Sequence, residues 1–217
     1  MRIGAFFDID GTIVNANSQF ELAKGLCRAR YLRFTDLAKM TWWSLMYDKG
    51  VIRDSVAIRK RIYSSLPSLQ SYKFDEIVKT IYSDAIRPKI CSGFFQVIKD
   101  HKARGHLTVA VSGTISNIAE LICRDLGIEQ VYATNLTVLD GRYTWAWDGE
   151  ILEGNNKAIF IQDFAKKYNL DLKQSYFYTD HSSDLPSLAS VGFPVVVNGS
   201  RQLNRIALRK QWQVLKP

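Results

Sequence analysis

Apolar positions change their spacing twice along this chain. Ile3-Gly4-Ala5-Phe6-Phe7 is an unbroken apolar run that stops at Asp8, the pattern of a short buried strand. From about residue 18 to 84 the spacing turns helical, with helices predicted over 20–33, 35–48, 53–65 and 74–85 and punctuation at Gly50 and Pro67. Beyond about residue 88, β-branched runs alternate with helical stretches. Strands are predicted over 106–111, 131–134, 176–179, 194–197 and, at an edge, 212–215. Helices are predicted over 94–104, 116–126, 156–168, 184–191 and 201–210, and 136–147 reads as a hairpin turning at Asp140-Gly141.

Such alternation predicts an α/β fold, a Rossmann-like parallel sheet with helices on both faces. The helical block interrupts it as an inserted cap, so the core is expected over 1–14 and 88–217 and the α-helical cap over 15–87. Sheets of this kind build their sites beyond the carboxyl ends of the strands. Three sequence-distant strands run into polar groups there: Phe7 into Asp8, Val111 into Ser112-Gly113-Thr114, and Thr179 into Asp180. The cap is expected above that edge as a lid, hinged near 15–18 and 86–91.

Composition narrows the class. Of 217 residues, 47% are hydrophobic and 23% charged, as in a soluble globular protein. No window reaches the roughly 18 apolar residues of a membrane span. The chain starts in a strand with no basic-then-apolar leader, so a cytoplasmic protein is expected. Cys27, Cys91 and Cys123 are scattered in apolar surroundings and read as reduced packing residues. The net charge of +8 comes with no zinc-finger spacing, aromatic RNA-binding signature or long Lys/Arg run. That argues against nucleic acid and for steering of a small phosphorylated substrate, or for plain solubility.

Asp8-Ile9-Asp10-Gly11-Thr12 carries the chemistry. Side chains at i and i+2 of a strand point the same way, so Asp8 and Asp10 can converge. Two close anions repel unless a cation or a shared proton compensates, which points to a metal-assisted acid-base site. Singly, each element has an ordinary reading. Asp-Gly-Thr is a turn, Ser112-Gly113-Thr114 a helix cap, Lys157 a solvated lysine, and Asp184 an anion favoured by a helix start. Four such elements in one order are much harder to attribute to chance.

Together they resemble the haloacid dehalogenase-like phosphohydrolases: Asp8-Ile9-Asp10-Gly11-Thr12, Ser112 after a strand, Lys157, and Asp180-His181-Ser182-Ser183-Asp184. The chain is most similar to the phosphoserine-phosphatase-like subgroup, whose helical cap lies between the first two motifs. The resemblance implies a phosphomonoester hydrolase using Mg²⁺. Asp8 is implied as nucleophile, Asp10 as general acid-base and Lys157 as the neutralising cation. Asp8, the Asp10 carbonyl and Asp180 are implied as metal ligands, with Asp184 holding a metal-bound water or pairing with Lys157. Thr12, Ser112, Gly113, Lys157 and Arg61 are implied on the phosphate or substrate.

Departures from the family pattern bear on specificity. His181 replaces a usually small residue, and is expected either to face solvent or to line the leaving-group pocket. Ser183 stands where phosphoserine phosphatases carry Asn, and a hydroxyl can still donate there. Asn15-Ala16-Asn17-Ser18 supplies no carboxylate before Glu21 to meet a substrate amino group, although Arg59-Lys60-Arg61 resembles the family's cap arginine segment. Phosphoserine is therefore one alternative substrate, a lipid-like phosphate another. Trp42-Trp43 beside Arg28, Arg30, Arg33 and Lys39 reads as cap core with solvated charges, or as peripheral contact with an anionic membrane. A module that binds phosphate or nucleic acid without turnover is the non-enzymatic alternative.

Overall fold

A computed structural model of the chain describes residues 1–48, 59, 60, 63, 66 and 68–216. Seven strands form one sheet in the order β4-β3-β2-β1-β5-β6-β7. They are β1 (Gly4–Phe7), β2 (Leu107–Ile115), β3 (Gln130–Leu139), β4 (Arg142–Asp148), β5 (Tyr176–Thr179), β6 (Phe193–Val197) and β7 (Gln213–Leu215). All neighbours pair in parallel except β3 and β4. β1, fully buried, lies at the centre, with Phe7 opposite Ala110 of β2 and Tyr178 of β5.

Period-two alternation sorts the strand side chains between two apolar layers. Phe6, Val109, Phe177 and Val196 face one way, onto α6 (Gly154–Tyr168), α7 (Leu185–Ser190) and α8 (Arg201–Arg209). Ala5, Phe7, Ala110 and Tyr178 face the other, toward Phe94 and Ile98 of α4 (Gly93–Ala103) and Ile118 and Ile122 of α5 (Ser116–Leu126). That second layer continues into the helices inserted after β1. These are α1 (Ser18–Arg28), α2 (Phe34–Asp48) and α3 (Ser71–Ile81), which contribute Leu22, Leu26, Met40, Phe74 and Val78. A π-helical turn, Tyr82–Ile86, carries α3 back toward the sheet.

Three elements differ from expectation. The strand predicted over 106–111 does not stop at Ser112-Gly113-Thr114 but runs through it to Ile115, its register slipping between Val111 and Ile115. The short strand over 131–134 and the first hairpin arm are one strand, β3. It pairs with β2 through Thr134 and with β4 from Asn135 onward, which a period count cannot anticipate. The first predicted helix ends at Arg28 rather than residue 33, because Arg30 adopts a left-handed φ of 63° that no helix continues. The helix expected over 53–65, with Gly50 and Pro67, falls largely outside the described residues.

The insertion is tied to the sheet at both ends. Asn17 caps α1 by accepting the Phe20 N–H at 2.9 Å, and the Ser18 hydroxyl beside it lies 2.6 Å from the Thr114 hydroxyl of β2. Farther along, Ser71 N–H donates to the Gly141 carbonyl at 2.8 Å and Tyr143 N–H to the Leu69 carbonyl at 3.0 Å, so the entry to α3 rides on the β3–β4 hairpin. Phe74 then packs edge-on against Tyr143 and Trp145. Among the described residues no helix is long and apolar enough to cross a membrane. Phe34 and Trp42 of α2 are exposed.

Candidate active site

Strand adjacency assembles the site. β1 and β5 are parallel neighbours, and the Asp8 N–H donates to the Tyr178 carbonyl at 2.9 Å, so Asp8 and Asp180 emerge side by side at the carboxyl edge. Gly11 turns the chain there with φ +74°, and a Cβ on it would sit 2.1 Å from Asp180 Oδ2. Glycine is required twice over, by backbone and by space.

Lys157, near the start of α6, is almost wholly buried and reaches both Asp8 (3.0 Å) and Asp184 (2.7 Å). Thr179 Oγ1 also donates to Asp184, at 2.8 Å. Of the two roles open to Asp184, the structure therefore displays the pairing with Lys157. Burial alone pushes the Lys157 ammonium toward the neutral form, but Asp8 and Asp184 outweigh it and hold the charge. One cation faces three carboxylates in this corner. Burial, together with the neighbouring acids, raises Asp8 to about 7 despite Lys157. Burial likewise raises Asp180 to about 6.

Asp10 turns away from that cluster. Its carboxylate accepts the Ser18 N–H at 2.9 Å, the Ser18 hydroxyl at 3.0 Å and the Thr114 hydroxyl at 2.8 Å. Burial still raises its pKa against those bonds. Two carboxyl groups of one motif thus meet different surroundings, the condition for separate nucleophile and proton-transfer duties.

Asp8, Asp10, Ser112, Gly113, Lys157, Asp180 and Asp184 all line one cavity of about 470 Å³. Thr12 is not among them. It is fully buried, its hydroxyl donating to Asp180 Oδ1 at 3.1 Å and accepting the Asp180 N–H at 3.0 Å. Thr12 orients Asp180. Arg61 lies outside the described residues; among those described, Arg59 of the same segment lines the cavity. Glu21 bridges Lys24 (2.6 Å) and Lys89 (2.8 Å) instead of lining the cavity. His181 is exposed and lines the cavity mouth, with its Nδ1 2.7 Å from the Ser183 hydroxyl.

Four participants escaped sequence reasoning: Ser18 and Thr114 on Asp10, Thr179 on Asp184, and Glu153, which pairs with Arg59. Thr114 had a signal, as the third member of a polar triplet at a strand end. The others had none.

A divalent ion fits the donor set. Among the described residues no three His, Cys, Asp or Glu side chains form a ready cage. Mg²⁺ does not need one, because it keeps several waters and takes one or two carboxylates plus substrate oxygens. Asp8 and Asp180, adjacent and electrostatically undercompensated, offer that pair.

A parallel α/β sheet with a buried carboxylate–lysine cluster at the carboxyl end of its central strands is a hydrolase framework. Residues 5–189 match the haloacid dehalogenase-like hydrolase family, and the chain belongs to it. It is 27% identical over 217 residues to phosphoserine phosphatase SerB1 of Mycobacterium tuberculosis, covering 99% of this chain and 70% of that protein. It is 28% identical over 224 residues to a histidinol-phosphatase of Neisseria meningitidis, covering 99% of each. A solved structure of a protein of unknown function from Bordetella pertussis Tohama I superposes with a TM-score of 0.87 at 27% identity, covering 100% of this chain and 99% of that one. The chain is a hydrolase of this family.

Proposed function

We propose that the protein is a Mg²⁺-dependent phosphomonoester hydrolase that works on a small organic phosphate through an aspartyl-phosphate. One observation carries the reading. The buried Asp8 carboxylate is salt-bridged to Lys157 at 3.0 Å on the cavity wall, beside an Asp10 whose carboxyl is biased toward holding its proton.

Asp8, Asp180 and the Asp10 carbonyl would hold the ion, which when bound supplies charge neutralisation for Asp8 and the phosphoryl oxygens. Ser112 and the Gly113 N–H bind phosphoryl oxygens, and Lys157 balances charge between phosphate and nucleophile. An Asp8 oxygen attacks phosphorus as the phosphorus–alcohol oxygen bond breaks. Asp10 delivers its proton to the departing oxygen, leaving a free alcohol and a phosphorylated Asp8. The Asp10 carboxylate, held by Ser18 and Thr114, then takes a proton from water as that water attacks phosphorus. Asp8 and inorganic phosphate are released and Asp10 is reprotonated. Two moderate displacements replace one difficult one.

The described helices inserted after β1 act as a cap over the cavity and exclude water during the reaction. Similarity to phosphatases named for phosphoserine and for histidinol phosphate supports small phosphorylated alcohols as substrates. Hydrolysis of p-nitrophenyl phosphate with Mg²⁺ tests the mechanism. EDTA and Asp8→Asn should each abolish it, and activity surviving both overturns the reading.

A further inference from the structure

On the side of the inserted helices, the cavity presents an arginine already engaged in an ion pair. Apart from Lys157, which is committed to Asp8 and Asp184, Arg59 is the one cationic Arg or Lys side chain among the described cavity-lining residues. Its guanidinium forms a salt bridge with Glu153, the residue just before α6, and its Nη1 donates to the Gly113 carbonyl at 2.8 Å. The Arg59 side chain is 12% exposed and that of Glu153 31%, so both are largely withdrawn from screening solvent. A Cβ at Gly113 would lie 2.6 Å from Glu153 Oε1 and 3.0 Å from Arg59 Nη2. The missing side chain at 113 is thus the space that the ion pair occupies, against the strand that carries Ser112.

We propose that Glu153 is a specificity-determining residue that turns the site away from phosphomonoesters whose alcohol carries a carboxylate. This rests on the phosphomonoesterase reading above and names its substrate class: phosphate esters of alcohols that are neutral or carry an amine. A carboxylate on the leaving group would ordinarily be received by the guanidinium of Arg59. Here it must displace Glu153, stranding a half-buried anion, or lie beside Glu153 uncompensated. Among the other described lining residues Asn15, Asn17 and Gln19 are uncharged, and His181 is the one remaining side chain able to carry positive charge. Leu26, Met40 and Leu66 continue the lining and favour apolar bulk.

O-phosphoserine and O-phosphoethanolamine differ only in the carboxylate, so their ratio isolates it. Dissociation constants for both are measured by calorimetry with Mg²⁺ on the full chain carrying Asp8→Asn. Phosphoethanolamine is expected to bind at least tenfold more tightly. Glu153→Gln, which frees Arg59, is expected to shrink that ratio at least tenfold. Arg59→Met, which leaves Glu153 unneutralised, is expected to widen it. A purely structural role for the pair would weaken both ligands alike and leave the ratio unmoved. A ratio within twofold of the parent in Glu153→Gln, or no wider in Arg59→Met, overturns the assignment. Turnover of p-nitrophenyl phosphate by the chain with Asp8 intact is read in parallel. Turnover with an unmoved ratio removes the role of Glu153 alone, whereas absent turnover removes the phosphatase reading while the ratio still judges Glu153.

Discussion

Two buried polar clusters sit on the same pair of strands, and only one of them is out of electrical balance. At the carboxyl edge of β1 and β5, Asp8, Asp180 and Asp184 share the single cation of Lys157, and two of the acids have raised pKa values. Beneath them, His101 meets His106 (Nδ1 to Nδ1, 2.8 Å) and the Tyr178 hydroxyl (Nε2 to O, 2.8 Å), among the rings of Phe7, Phe94 and Tyr176. Burial and the neighbouring His106 and Arg104 lower His101 to about 4, so at neutral pH its ring is uncharged and both its nitrogens are bonded. Burial of polar atoms is common to both. What separates them is unmet charge: a satisfied neutral network specifies packing, whereas an uncompensated charged one stores a demand for a ligand.

The sharpest way to break that contrast is to neutralise one member of each cluster. Asp8→Asn is expected to lower kcat by at least about 10³-fold while the fold survives, because the proposed nucleophile is lost but its volume is kept. His101→Gln is expected to leave kcat within about threefold and to lower Tm instead. Steady-state kinetics and thermal melts of both variants check this; comparable kcat losses would merge the clusters into one. Lys157→Met is next in size. It strands Asp8 and Asp184 together, so about 3 kcal/mol of stability and roughly 10²-fold of kcat should be lost, measured by denaturant titration and assay. Stability unchanged in that variant would mean that the ion pairs are worth nothing net.

Much of the charged cluster was legible in the chain, and almost none of the neutral one. Asp8, Asp180 and Ser112 each follow an apolar strand, so the rule that sites gather at carboxyl ends brought them together before β1 and β5 were known to be neighbours. Thr12 meets Asp180 with no signal in the sequence. Its motif position speaks of phosphate, and only the β1–β5 adjacency puts Asp180 against its hydroxyl. Contacts spanning 104 and 54 residues, Thr114 to Asp10 and Arg59 to Gly113, leave no local pattern to find. His101 and His106 lie on a helix and in the turn beyond it. In the sequence they look like ordinary polar positions, because their burial is set by what α4 packs against.

Titration sharpens the comparison, because the clusters should respond to pH with opposite signs. His101 has a folded pKa of about 4 against an ordinary value of 6.5. Below 6.5 the unfolded chain binds the extra proton, so this contribution is full above 6.5 and is lost as pH falls toward 4. Its size is at most about 3 kcal/mol, read as the stability difference between wild type and His101→Gln across that window. Asp8 and Asp180 run the other way. Their folded values of about 7 and about 6 exceed the ordinary 3.8, so their contribution is present at low pH and is lost as pH rises through about 4 to 7. A cation that binds the ionised pair removes that loss. At 100 times its Kd, Mg²⁺ should therefore stabilise the protein by about 2.7 kcal/mol at pH 8 and by much less at pH 5.5. Melts with and without Mg²⁺ at the two pH values measure the difference, and Asp8→Asn should reduce it. An equal gain at both would place the ion elsewhere, since protonated carboxyls at pH 5.5 compete with it only if they are its ligands.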